Sequence, residues 1–334
     1  MRKHLFFLAA LGLVALAGAA VAQTFSDGFL YKPGTTIPGY TEQRGDWQAT
    51  GVAVQSQAGV SYQELTYDKI KDTDCCVEVL AVYDTATPGL MYTGPLLRYS
   101  GAGSTASYFM VKVQDNGTPR DGWDYYFTYY YDGVSMKGMG LSSPISPPTK
   151  QARVRLQVLD QGASVLFQVF IDTDLDGKWN ITNSTTTTTY GLGQSGLIGI
   201  NGYQNAIADD LKFFDACLWL TATPQIGTLV KLAGRGQGGL NYQGACSFAN
   251  TGISLGSGRK APLALDSLFF LSLSSPGIFQ NFSGTTAVSG DFTMGIKIPS
   301  LPALAGLTIY TSAITYNRLG VAEICPDVEV TFVP

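Results

Sequence analysis

Apolar residues in this chain recur at every second position, and that alternation constrains the fold more than any other feature. In Arg153-Val154-Arg155-Leu156-Gln157-Val158 the apolar set is Val154, Leu156 and Val158. In Phe109-Met110-Val111-Lys112-Val113-Gln114 it is Phe109, Val111 and Val113. Successive side chains of a strand point to opposite faces, so both segments read as half-buried strands. Further strands are expected at 47–55, 75–84, 95–100, 123–131, 164–171, 196–203 and 206–216. Asp115-Asn116-Gly117, Asp132-Gly133 and Asp160-Gln161-Gly162 punctuate them, the last as a hairpin turn. Pro144, Pro147 and Pro148 predict a loop, as does the polar run from Thr185 to Thr189. After residue 22 no amphipathic run of 12 or more residues predicts a helix.

The N-terminus has the form of an export signal. Met1-Arg2-Lys3-His4 precedes an apolar run from Leu5 to Leu16, and Ala20-Val21-Ala22 stands before Gln23. A basic start, a short apolar stretch and an A-x-A site predict a cleavable signal over 1–22 and a secreted, extracellular or periplasmic protein. No later segment predicts a membrane span. His4 is the one histidine of 334 residues, so residues 23–334 offer no imidazole for a Ser-His-Asp triad, a His-ligated zinc or a His base. Without Arg2 and Lys3 the net charge is about −6, and no basic run marks a nucleic-acid partner. Composition shifts after Ala216, which predicts a β-sandwich over 23–216, a linker at 217–224 and a smaller β-rich module over 225–334. In that module strands are expected at 262–273, 290–298 and 304–316.

Export permits disulfides. Cys246 and Cys325, the two cysteines of the last third, are expected to pair. Cys217 is expected to pair with Cys75 or Cys76, Cys75 being taken as its partner, since adjacent cysteines seldom bond each other.

Two constellations carry candidate chemistry. Asp172-Thr173-Asp174-Leu175-Asp176-Gly177-Lys178-Trp179-Asn180 has the D-x-D-x-D-G form of a calcium loop. Asp172, Asp174 and Asp176 supply carboxylates, Lys178 a backbone carbonyl and Asn180 a side-chain oxygen or a water contact. Asn183 stands where a helical calcium loop carries its bidentate Glu, and the segment resembles the calcium-binding β-hairpins of integrin α-chain propellers. The expected role of Ca²⁺ is structural; the alternative is a plain Asp/Gly turn. The second constellation is Trp123-Asp124-Tyr125-Tyr126-Phe127-Thr128-Tyr129-Tyr130-Tyr131. In a strand, Trp123, Tyr125, Phe127, Tyr129 and Tyr131 share one face and Tyr126, Thr128 and Tyr130 the other. One face is core and the other is available for stacking on a sugar ring. Tyr126 and Tyr130, with Trp123 at the strand's start, are the candidate ligand-binding residues.

Catalysis is not expected. Only five of the 25 acids are Glu (Glu42, Glu64, Glu78, Glu323 and Glu329). A glycosidase needs two carboxylates at a set separation, and Glu78 is followed by Leu80 and Ala81 where a jelly-roll glucanase carries acids. Asp209 and Asp210 are neighbours and would point to opposite faces of a strand. The Gly-rich stretch 234–239 lacks the Lys-Ser/Thr ending of a phosphate loop.

The order of several motifs resembles the concanavalin A-like, laminin-G-like jelly rolls of secreted bacterial proteins. They are Phe25-Ser26-Asp27-Gly28-Phe29, Gly45-Asp46-Trp47 with Gly51, Asp74-Cys75-Cys76-Val77-Glu78-Val79, Gly94-Pro95-Leu96-Leu97-Arg98-Tyr99, and Gly196-Leu197-Ile198-Gly199 followed by Asp209-Asp210-Leu211-Lys212-Phe213. The stretch from Ile298 to Tyr310 resembles C-terminal β modules of large secreted proteins. The first resemblance implies an all-β, concanavalin A-like jelly-roll sandwich followed by a smaller β-rich domain. It also favours a non-catalytic protein binding a glycan or another extracellular surface polymer. The alternative reading is a structural or adhesive component of an extracellular matrix or surface assembly that associates with itself, and behind it a carbohydrate-active hydrolase with two carboxylates in an open cleft.

Overall fold

The computed structural model describes residues 25–29, 31, 37–57, 62–72, 75–85, 90–115, 121–161, 163–176, 179–214, 217–256 and 259–334. The expected signal at 1–22 lies outside them, and among them no helix is long and apolar enough to cross a membrane. Two compact units divide between Phe213 and Phe214.

The first unit is a sandwich of two antiparallel sheets. One has seven strands, in the spatial order Met136–Thr149, Trp123–Asp132, Ser107–Asp115, Met91–Ser100, Gly196–Tyr203, Gln63–Asp72 and Tyr40–Arg44. The other has eight. Ile181–Thr187, Ser164–Asp172, Gln151–Gln161, Cys75–Val82, Ile207–Phe214, Val54–Ser56 and Trp47–Ala49 run in that order, with Phe25–Asp27 also paired to Ile207–Phe214. About half of the neighbours in space are not consecutive in the chain, as the crossovers of a jelly roll require.

The alternation read from the sequence sets the core. Phe109, Val111 and Val113 from one sheet meet Val154, Leu156, Val158 and Phe167 from the other, all fully buried. Polar ties cross the same layer. The Trp123 indole N–H donates to the Ala81 carbonyl at 3.2 Å, and the Tyr83 hydroxyl donates to Asp115 Oδ2 at 2.6 Å. Each satisfies a donor that would otherwise be stranded in apolar surroundings.

Two expected loops are edge strands. Pro144, Pro147 and Pro148 lie in Met136–Thr149, which pairs with Trp123–Asp132 through two register shifts. Proline is tolerated there because an edge strand has one side with no ladder to serve. Thr185–Thr187 belong to Ile181–Thr187, the opposite kind of edge, regular and threonine-rich. A β-branched polar residue suits an exposed edge as well as it suits a loop, so composition alone misread it.

The second unit is also β-rich. A four-stranded sheet runs Cys217–Leu220, Leu229–Arg235, Asp291–Lys297 and Phe279–Gln280. A five-stranded one runs Ser283–Thr285, Asn241–Ser247, Thr308–Asn317 and Gly320–Ile324, with Val328–Thr331 also on Thr308–Asn317. The expected linker is therefore half strand. The expected strand at 262–273 is instead largely the helix Ser267–Ser274. Asp266 caps it, its carboxylate accepting from the Phe269 N–H at 2.9 Å, which satisfies one of the orphan donors of a helix start. A short unbroken apolar run such as Leu268-Phe269-Phe270-Leu271 does not separate strand from helix by periodicity.

The expected Cys246–Cys325 disulfide is absent: both are fully buried thiols. Cys246 pairs across to Thr311, and its sulfur lies 3.2 Å from Thr311 Oγ1. The Cys325 N–H donates to Ala313 on the far side of that same strand. Two strand spacings, about 10 Å, separate their backbones, beyond the Cα reach of a disulfide. Cys76 is also a buried thiol. The side chains of Cys75 and Cys217 lie outside the described residues.

Candidate functional site

The strand Trp123–Asp132 decides where a ligand platform can lie. Tyr126 is fully buried, Tyr130 is 8% exposed and Trp123 is fully buried, all in the inter-sheet core. Asn183 of the opposite sheet donates to the Tyr126 hydroxyl, and Tyr130 donates to Gln194 Oε1 at 3.1 Å. The three expected ligand-binding residues are thus packing residues. The tie from Asn183 holds Tyr126 inward with Thr128 and Tyr130 on the same face, and Trp123 at the strand's start is turned inward by its own tie to Ala81. The face left outward is Tyr125, Phe127 and Tyr129, each half-buried. Their rings form a ladder along the strand. Tyr125 and Phe127 centroids are 6.0 Å apart at 15°, and Phe127 and Tyr129 are 6.3 Å apart at 28°.

The neighbouring strands extend this face. Lys112, opposite Phe127, holds its ammonium 4.5 Å from the Tyr92 ring centre, 5.1 Å from Tyr129 and 5.5 Å from Phe127. Burial takes its pKa down to about 8. Tyr92 stacks on Tyr203 at 5.3 Å, and Tyr62 tilts against Tyr92 at 6.5 Å. Deeper on the face is Glu64, 1% exposed. Its Oε1 accepts from the Tyr108 hydroxyl at 2.5 Å and faces Arg44 Nη1 at 3.4 Å. Burial raises its pKa, against the opposing pull of Tyr108 and Arg44. Asp68 lies four residues along the same strand, about 13 Å away by strand rise, too far to act with Glu64 across one glycosidic bond.

The outer face of the eight-stranded sheet holds Glu78, also buried. It meets Arg155 at 2.9 Å, Arg153 at 2.7 Å and Lys212 at 3.3 Å, while Asp210 bridges Arg153 at 3.3 Å and Lys212 at 2.8 Å. Burial favours its neutral form, but the charges of Arg155, Lys212 and Arg153 outweigh burial and hold its carboxyl well below the usual carboxylate range. Arg155 is roofed by Trp179, 4.4 Å from the ring centre. A permanently ionised, fully engaged carboxylate gives no acid/base chemistry. Asp210 is likewise committed to ion pairs.

The three aspartates of the D-x-D-x-D-G stretch do converge. Asp172 is buried, Asp174 and Asp176 are exposed, and one carboxylate oxygen of each lies within 4.8 Å of the others. Asp172 Oδ1 accepts from the Leu175 N–H at 2.7 Å, with Leu175 at a φ of 59°. Asn180 Oδ1 accepts from the Thr173 N–H and hydroxyl at 2.5 and 3.0 Å, which closes the loop and occupies the oxygen expected for a cation. Gly177 and Lys178 lie outside the described residues. Asn183 is not on this loop at all, since its amide serves Tyr126. The chemistry of the donor set, three carboxylates on a tight turn, fits a hard divalent cation.

In the second unit the Gly-rich stretch is closed to an anion. Glu323 already accepts from the Gln237 N–H at 3.0 and 2.8 Å. An apolar pocket elsewhere in this unit, about 40 Å³ and lined by Ile253, Leu255, Leu263, Phe269 and Leu273, offers no reactive group.

Sequence reasoning missed Lys112, Glu64, Tyr92 and Asn201. The signal for the first was present, because Lys112 alternates out of the same strand whose Phe109, Val111 and Val113 were read as core.

No family model and no curated protein matches the chain. Among solved structures it is similar to winged bean acidic lectin in complex with methyl-α-D-galactose, at 13% identity over 58% of this chain and 98% of that one, with a TM-score of 0.39. It is similar to a legume lectin-like domain from Entamoeba histolytica at 13% identity, 59% and 99% coverage and a TM-score of 0.38. It is also similar to a bifunctional GH43-CE protein of Bacteroides eggerthii at 15% identity, 63% and 31% coverage and a TM-score of 0.41. The fold of residues 25–213 is an all-β jelly-roll sandwich, established by its own sheet order and register.

Proposed function

We propose that this is an exported, non-catalytic protein that binds glycan on the outer face of the seven-stranded sheet. The observation that carries this reading is the ladder of Tyr125, Phe127 and Tyr129, three half-exposed rings in line on a rigid strand. A sugar ring presents an apolar face of C–H groups, and a fixed aromatic surface meets it at little entropic cost. Glu64 and Asp68, about 13 Å apart by strand rise, stand too far apart to flank one glycosidic bond. Retention on a polysaccharide column tests the reading. Tyr129→Ala is expected to lose retention while keeping its melting temperature within a few degrees. Retention unchanged in Tyr125→Ala, Phe127→Ala and Tyr129→Ala alike would sink the proposal.

A structural Ca²⁺ on Asp172, Asp174 and Asp176 belongs to the same proposal, supported by the mutual approach of their carboxylates. Millimolar Ca²⁺ is expected to raise the melting temperature, and Asp174→Ala to abolish the rise. A wild-type protein indifferent to Ca²⁺ refutes it.

A further inference from the structure

Glu64, Asn201, Gly94, Lys112 and Phe127 lie in register across five neighbouring strands of the seven-stranded sheet, on the face turned away from the core. Gly94 leaves the middle of this row without a side chain. A Cβ there would come within 2.3 Å of the Val111 carbonyl oxygen, so only glycine fits, and the Asn201 amide reaches across it to the Gly94 and Val111 carbonyls.

The two ends of the row are chemically unsatisfied. On one side, Glu64 Oε2 and Asn201 Oδ1 are buried with no hydrogen-bond partner, and the Tyr92 hydroxyl beside them is a third such atom. Turning the Asn201 amide over offers no relief. Its nitrogen already donates to the carbonyls of Gly94 at 2.8 Å and Val111 at 3.1 Å, and an oxygen placed there would face two acceptors. Buried polar atoms are nearly always paired, so two orphaned acceptors side by side call for an incoming donor. On the other side, Lys112 is caged by three rings and burial is the one cause of its shifted titration. No carboxylate among the described residues offsets it. A partly desolvated ammonium without a counter-ion is costly, and a structural role in this cage would be served better by an apolar side chain.

We infer that this row is a subsite for an acidic sugar. A uronate carboxylate would rest against Lys112 Nζ beside the ladder rings, with ring hydroxyls turned toward Asn201 Oδ1 and Glu64 Oε2. The inference rests on the glycan reading above and adds the charge of the ligand to it. The Asn201 amide reaches the Val111 carbonyl, on the strand that bears Lys112, so the two groups lie within the span of one sugar ring and its substituents. Glu64 does not veto an anion at the far end, because Arg44 and Tyr108 already engage its Oε1. The chain as a whole is acidic, with 25 acids against 21 bases, so attraction of a polyanion has to be local.

Calorimetry of the whole protein with polygalacturonate, with its methyl ester and with a neutral β-glucan tests this. The acid is expected to bind roughly tenfold or more tighter than the ester, the usual weight of a charge-assisted hydrogen bond. Lys112→Met is expected to erase that preference without lowering the melting temperature, and Lys112→Arg to keep it. Equal binding of acid and ester, or a preference that survives Lys112→Met, overturns the inference. If all three polymers bind equally and Tyr129→Ala abolishes that binding, the glycan reading stands and the acidic subsite falls. Binding to none of the three overturns both.

Discussion

Two glutamates sit under the two outer faces of one sandwich, both almost fully buried, and their surroundings push them in opposite directions. Glu78 is met by Arg155, Arg153 and Lys212, and its carboxyl is held well below the usual range. Glu64 has Arg44 at 3.4 Å and the Tyr108 hydroxyl, keeps one oxygen without a partner, and is raised by burial. The cations follow the same division. Arg155 on the first face is paired and roofed by Trp179, whereas Lys112 on the second has aromatic rings and, among the described residues, no counter-ion. One face is electrostatically closed and the other is open. A closed network holds a fold, and an open one is where a ligand gains most by binding, since it alone supplies what the protein lacks.

The sharpest way to break this contrast is to remove the hub of the closed face. Glu78→Ala removes the carboxylate that three cations share, with Asp210 still bridging Arg153 and Lys212, and is expected to cost about 3–5 kcal/mol, read as a large fall in the urea midpoint. A loss below about 1 kcal/mol would show that solvent, not Glu78, neutralises that face. Tyr126→Ala is expected to cost a similar amount, about 3–5 kcal/mol, because it opens the core. The outward Tyr129→Ala is expected to cost far less.

Acid titration compares the two glutamates directly. The folded-state pKa of Glu78 is lowered, so its contribution is fully present above the unfolded carboxylate pKa near 4.3 and is lost as pH falls below that. For Glu64 the folded-state pKa is raised, so ionisation on raising the pH opposes folding. Urea midpoints of the wild type followed downward from pH 6 should therefore decline, and Glu78→Gln should flatten that decline. The smallest expected effect is that of Glu64→Gln, which removes a desolvated charge while keeping its shape. Its stability at pH 7 is expected to stay within about 1 kcal/mol of wild type or to rise. A loss comparable to that of Glu78→Ala would mean that the two faces are built alike.

Much of the sandwich is legible in the sequence, because period-two alternation reports half-burial directly. Val154, Leu156 and Val158 had to share a face, as did Phe109, Val111 and Val113. Alternation fails where both faces carry the same kind of residue. Along Trp123–Asp132 every position but Asp124, Thr128 and Asp132 is aromatic, so the pattern holds no vote on which set turns inward. It fails again on edges, where the prolines of Met136–Thr149 and the threonines of Ile181–Thr187 suit a loop equally well. Leu268–Leu271 misled for a third reason, since four apolar residues in a row have no period and the cap at Asp266 settled the helix.

The candidate site was legible only as an inventory. Tyrosines, a D-x-D-x-D-G stretch and a lack of histidine were visible, and the Asp172, Asp174 and Asp176 carboxylates do meet. The pairing of Glu64 with Asn201 joins residues 137 positions apart, and no local pattern announces such a neighbour.

By itself, the sequence determined that this chain forms antiparallel strands with one apolar face each, because that follows from where successive side chains point along an extended backbone. Only the tertiary structure decided which faces meet. Strand order brought Trp123 to Ala81 and Asn183 to Tyr126, which put Tyr126 in the core and left Tyr129 outside. Strand order also placed Cys246 and Cys325 on opposite sides of one strand, where a disulfide does not reach. Long-range pairing is a property of the assembled sheet, so the open face around Lys112 and Glu64 exists only once seven strands lie side by side.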